Sequence, residues 1–202
     1  LADARANRTP ITWRSEDVAQ PTFVGRHLVG EQALSALVPY IDWTFFFTAW
    51  ELNGRWPQIL EHPKYGVEAK RLHDDALRLL DALVAEKSIH ARGVYGIWPA
   101  WSEGDDLVLL ETDRSRELVR FPMLRAQRAQ SEGPNRCLAD FVAPHGSGLA
   151  DHVGAFAVTA GLGASEVVSR FKRDHDDYHA IMTQALCDRL AEAFAEKLHE
   201  EV

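Results

Sequence analysis

Hydrophobic residues recur with two different periods along this chain, and the change of period divides it. Between residues 66 and 87 the apolar positions Val67, Leu72, Ala76, Leu79, Leu80, Leu83 and Val84 mark one face of a helix. From 165 to 202 neither Gly nor Pro interrupts a second helical pattern, which Asp174 or His175 splits in two. In the later part Met182, Leu186, Leu190, Phe194 and Leu198 recur every four residues. Such a row drifts slowly round a helix and suits packing against a sheet or another helix. The opposite face carries Asp177, Gln184, Asp188, Glu192 and His199.

The middle of the chain has strand-like runs instead. "GVYGIWPAW", "DLVLLET" and "ELVRFP" are rich in β-branched and aromatic residues, and Gly, Asp and Ser separate them. They read as antiparallel strands joined by turns. "CLADFVAP" and "DHVGAFAVTAG" read as two more strands linked by "HGSG", and "MLRAQRAQ" as a short basic helix. Upstream, "TFVGRHLV" reads as a strand and "GEQALSALVPYI" as a short helix that Pro39 ends. A further helix is expected over 42–53, with Asp42 as its N-cap and Asn53-Gly54 as its stop. Residues 1–20 lack periodicity and read as a linker or a surface arm. The fold class is therefore α+β, with a central antiparallel sheet and helices on both sides of it in sequence.

Composition adds limits. The 202 residues suit one domain with a real core, and 46% hydrophobic against 26% charged residues is ordinary for a globular protein. A net charge of -8 argues against nucleic acid as a partner, because phosphate neutralisation needs a basic surface. No run of about 18 apolar residues is present, so no membrane partner is expected. Cys137 and Cys187 are too few for a disulfide scaffold, and a reduced, cytoplasmic setting is the expectation. The chain opens on Leu, as a stretch taken from a longer chain would.

Four groups of residues carry candidate chemistry. His175 and His179 in "HDDYH" are four apart and would share a helix face, a spacing that binds zinc when a third ligand joins. No Glu follows the first His as a metalloprotease motif requires, and a solvated, polar helix start is the simpler reading. Asp188 and Glu192, also four apart, form an acid–base pair, an amine site or a solvated face beside Arg189. Arg114, Arg116, Arg120, Arg125 and Arg128 make a local basic excess that would steer an acidic partner, or are ordinary surface charge. Asp42 stands in "YIDWTFFFTAW", where a carboxylate among aromatic rings either caps a helix or faces a cationic ligand. The two roles are compatible. No P-loop, dinucleotide-binding glycine motif or nucleophile elbow is present.

Several of these stretches resemble one family. "YIDWTFFFTAWELNGRWPQIL", "GVEAKRL", "CLADFVAP", "GAFAVTAG", "HDDYHAIM" and "ALCDRLAEAFAEKLHEEV" are similar, in the same order, to the C-terminal activation domain of cobalamin-dependent methionine synthase. The resemblance implies a C-shaped single α+β domain with a twisted antiparallel sheet, over residues 21–202 and without its C-terminal part. It implies a module of a methyltransferase that binds S-adenosylmethionine and presents it for reductive remethylation of oxidised cob(II)alamin, with an electron from flavodoxin or a similar reductase. Cobalamin itself would be held by another module of the same parent chain.

By resemblance, Asp42 and Glu192 contact S-adenosylmethionine and Asp188 meets the cobalamin module. No catalytic residue and no metal ligand is implied. The family's Arg followed by Gly-Tyr-Pro-Ala-Cys-Pro does not occur before Val202. Weak or absent S-adenosylmethionine binding, and no activity in isolation, are therefore expected of this stretch. A non-catalytic docking domain for flavodoxin and the cobalamin module is the alternative, and a small His175–His179 metalloenzyme is a third reading.

Overall fold

The computed structural model describes residues 2–128 and 132–202. Its elements are α1 (Ala2–Ala6), β1 (Gly25–Gln32), α2 (Leu34–Leu37), α3 (Trp43–Ala49), α4 (Gly66–Glu86), β2 (His90–Glu103), β3 (Asp106–Leu110), β4 (Glu117–Pro122), β5 (Asp151–Leu162), α5 (Ala164–Arg173) and α6 (Asp177–Glu201). The five strands form one open antiparallel sheet in the order β1-β2-β3-β4, with β5 also paired to β2. This is the expected α+β class. The chain divides into two compact units, one made of the residues up to His27 with Tyr95–Phe156, the other of Leu28–Val94 with Ala157–Val202.

The second unit holds α2 to α6. Leu72, Ala76, Leu79, Leu80 and Leu83 of α4 are buried as their spacing predicts, but Val67 points to solvent, 87% exposed in the first turn. Met182, Leu186, Leu190, Phe194 and Leu198 of α6 are all buried, joined by Cys187 and Ala193. A Cβ on Gly93 of β2 would stand 3.0 Å from the Phe194 ring, so glycine lets the strand approach the helix. Tyr178 donates from its hydroxyl to Asp75 at 2.8 Å, which ties α6 to α4. Burial, then that hydrogen bond, pushes the Tyr178 pKa up to about 12.

The first unit is organised round a buried guanidinium. Arg125, 2% exposed, donates to Asp105 at 2.9 Å, to both oxygens of Asp140 at 2.8 and 2.6 Å, and to the Asn135 carbonyl at 2.7 Å. A buried charge is tolerated only when every donor is met, and here the partners come from separate loops. The two carboxylates would be pushed up by burial. For Asp105 the hydrogen bonds from Arg5 and Arg125 outweigh that effect, and for Asp140 those from Arg125 and the Cys137 backbone do, so both stay below the usual carboxylate range. The hairpin of β3 and β4 pairs Leu107 with Phe121 and Leu109 with Val119.

Residues 2–18, expected as a linker or surface arm, lie on this unit through a short helix with Ala4 buried. Arg5 meets Asp105 at 2.8 Å, Asn7 meets Asn135 at 2.9 Å, and Val18 is buried.

Three local expectations fail. "CLADFVAP" is not a strand. Leu138–Phe141 forms a single 3-10 turn, because the Asp140 carboxylate accepts from the Cys137 backbone at 3.1 Å and competes with extended pairing. "MLRAQRAQ" is not helical over its described part, 123–128, where the Ala126 N–H bonds to the Arg136 carbonyl at 2.9 Å. The last two residues of that stretch lie outside the described residues. "GEQALSALVPYI" yields its first residues to β1, leaving a single turn of α2 followed by a 3-10 turn at Val38–Tyr40.

Candidate functional site

Asp42 caps α3. Its backbone is extended, and its Oδ1 accepts from the Thr44 N–H at 2.8 Å, which satisfies one orphan donor of the first turn. The helix stops at Ala49, four residues before the expected end, with Glu51 in the left-handed region at φ 60°. The aromatic residues after the cap go two ways. Trp43, Phe46 and Phe47 are core, and Trp43 and Trp56 each pack on the His73 ring at 4.6 Å between centroids. Burial there holds the His73 pKa below the usual imidazole value. Phe45 faces outward, 59% exposed.

Three contacts fix how α3 lies against α6. The Tyr40 hydroxyl bonds to Glu200, the Arg189 guanidinium sits 5.7 Å from the Phe45 ring centroid, and Trp50 meets Tyr178 edge-on at 5.3 Å. The order runs forward on one segment and backward on the other, so the two are antiparallel. Asp42 falls between the Tyr40 and Phe45 contacts, and Glu192 falls between Arg189 and Glu200 on α6. Both acids are exposed, as is Asp188. Neither Asp188 nor Glu192 forms an ion pair among the described residues. The two segments that the Phe45–Arg189 contact joins therefore carry three exposed carboxylates, Asp42, Asp188 and Glu192. Carboxylates without internal cations retain their full attraction for an incoming ammonium.

The remaining candidates separate. His175 precedes α6 and stands in the left-handed region at φ 59°, so it does not share a helix face with His179. His179 pairs instead with the cap residue Asp176 at 2.7 Å and stacks on Phe171. Among the described residues no cluster of three His, Cys, Asp or Glu side chains is arranged for a metal. The arginines are largely engaged. Arg125 is interior, Arg120 meets Glu103, Asp106 and Glu117, Arg116 meets Glu111, and Arg114 donates to the Asp151 carbonyl. Burial, with the Asp188 charge adding to it, pushes the Cys187 thiol up to about 11, which leaves it protonated and inert.

Sequence reasoning did not say which aromatic residue of this stretch is exposed; the structure shows that it is Phe45.

Comparison with known proteins places the chain in a family. The family model described as "Vitamin B12 dependent methionine synthase, activation domain" matches residues 33–202. The crystal structure of the MetH reactivation domain bound to AdoHcy is similar over 100% of this chain, with 46% identity and a TM-score of 0.91. This chain spans 62% of the length of that one. No helix is long and apolar enough to cross a membrane among the described residues.

Proposed function

Since the chain belongs to the vitamin B12 dependent methionine synthase activation-domain family, we propose that it binds S-adenosylmethionine and presents its methyl group for reactivation of the cobalamin of a parent methionine synthase. The observation that carries this reading is that Asp42 at the start of α3 and Glu192 of α6 are exposed acids on two segments packed together, with no ion pair to either among the described residues. The relative bound to AdoHcy supports the ligand class.

In this reading Asp42 and Glu192 hold the ligand's ammonium by charge-assisted hydrogen bonds. Asp42 is already fixed by its own bond to the first turn of α3, so the carboxylate is oriented before the ligand arrives. The task of these residues is to position a methyl donor, which lowers the barrier by alignment and moves no proton. Cobalamin would be held by another module of the parent and would supply the reduced cobalt to which the methyl group goes. Asp188, on the same helix face as Glu192, would meet that module through a basic side chain. The electron would come from flavodoxin or a similar reductase, and the setting would be the cytoplasm.

Docking alone is the weaker alternative. Among the arginines proposed for it, Arg125 is buried and Arg116 and Arg120 already hold internal acids.

Titration of the protein with S-adenosylmethionine tests the reading. It is carried to millimolar ligand. Weak, saturable binding is expected, with affinity falling about tenfold in Asp42→Asn and in Glu192→Gln, the range for one charge-assisted hydrogen bond. Unchanged affinity in both variants would remove the acidic face from the site.

A further inference from the structure

The segment that begins α3 leaves one ring out of the core. Phe45 is 59% exposed, three residues after Asp42, and a guanidinium already lies over it. Arg189 has Asp188 beside it in sequence and Glu192 three residues on, the spacing at which a helix forms ion pairs. It forms no ion pair with either and sits 5.7 Å from the Phe45 centroid instead. The ring is thus a seat for a cation, and the protein fills it with its own.

Two cations of S-adenosylmethionine have different needs. The ammonium carries N–H donors and goes to carboxylates. The sulfonium has no donor, is wrapped in alkyl groups and is weakly hydrated, as a guanidinium is. A π face suits such a cation better than a hydrogen-bond acceptor does. The geometry points to Phe45 as the sulfonium seat of this site and to Arg189 as the side chain that occupies it until the methyl donor displaces it.

This inference rests on the reading proposed above and adds a basis for telling donor from product. S-adenosylhomocysteine keeps the ammonium but has a neutral thioether. Once the methyl group has left, nothing holds the sulfur to the ring, and Arg189 returns. The seat therefore favours donor over product through one contact and leaves the shared contacts to Asp42 and Glu192.

Nuclear magnetic resonance of the 202-residue protein tests this, with S-adenosylmethionine and S-adenosylhomocysteine as probes. In the free protein the ring current of Phe45 should shift the Arg189 Nε–H resonance. S-adenosylmethionine should move it to the position of a solvated guanidinium, and S-adenosylhomocysteine should leave it. In Phe45→Leu, affinity for S-adenosylmethionine should fall about fivefold while that for S-adenosylhomocysteine stays within twofold. Arg189→Gln should tighten S-adenosylmethionine alone, since no resident cation then has to leave. If both ligands perturb the Asp42 and Glu192 signals but move Arg189 alike, or lose affinity alike in Phe45→Leu, the sulfonium seat is wrong and the acidic site stands. If neither ligand perturbs Asp42 or Glu192, both readings fall together.

Discussion

At the scale of single residues, one carboxylate carries two roles that substitution can separate. Asp42 caps α3 through a 2.8 Å bond from the Thr44 N–H, and it is also exposed to solvent. Asn caps a helix as well as Asp does, whereas Ala does not. Asp42→Asn should therefore keep the melting temperature within about a degree and lose ligand affinity. Asp42→Ala should lose affinity and about 1 kcal/mol of stability, roughly 2–4 °C for a protein of this size. Equal melting temperatures for the two variants would remove the capping role. The cap was legible in the sequence because it is local: a short acceptor directly before a helical pattern satisfies an N–H two residues on. The split of the aromatic residues was less so. Trp43, Phe46 and Phe47 turn inward and Phe45 outward only because α6 and the His73 ring supply one side with partners.

Among elements, the long helices were the most legible part. The burial of α4 and α6 follows their spacing, apart from Val67, because amphipathic periodicity survives whatever the helix packs against. The entry to α5 shows what periodicity leaves unsaid. Gly163 precedes that helix at φ 92°, and a Cβ there would lie 2.3 Å from the Ser88 carbonyl oxygen. Gly163→Ala carries both left-handed strain and a backbone clash and should cost about 2–4 kcal/mol. Gly104→Ala, at φ 65° with nothing within 4 Å, carries the strain alone and should cost about 1–2 kcal/mol. Chemical denaturation of the pair checks the difference, and equal losses would show that Ser88 yields. The expected strand in "CLADFVAP" failed at this scale, because Asp140 bonds to its own turn and to Arg125, fifteen residues back.

For the whole molecule, the pH dependence of stability follows from the buried network of the first unit. Asp105 and Asp140 titrate below the usual carboxylate range when folded. Their contribution is complete above the unfolded value of about 4 and is lost as pH falls through the lower folded values. Melting temperature should therefore hold from pH 7 to about 5 and drop below about 4. Arg125→Met should cost about 3–5 kcal/mol at pH 7, since it leaves buried carboxylates short of a partner. It should also reverse the slope, with the variant gaining stability on acidification from pH 7 to 5 as those carboxylates take up protons. A variant whose melting temperature follows the wild-type pH profile would show that Arg125 does not hold the pair.

The sequence by itself determined the α+β class, the two long helices with their buried faces, the cap at Asp42 and the family to which the chain belongs. Each of these follows from local spacing or from a run of residues read in order. The tertiary structure alone decided which charges are spent and which remain free to act. His175 stands in the left-handed region ahead of α6 and so leaves the helix face that carries His179, and Arg125 is drawn from an expected surface cluster into the interior. Phe45 and Arg189 meet only because the α3 segment lies antiparallel along α6. A partner more than a hundred residues away in the chain leaves no periodic trace, because what selects it is the packing of apolar faces that each helix presents to many possible neighbours.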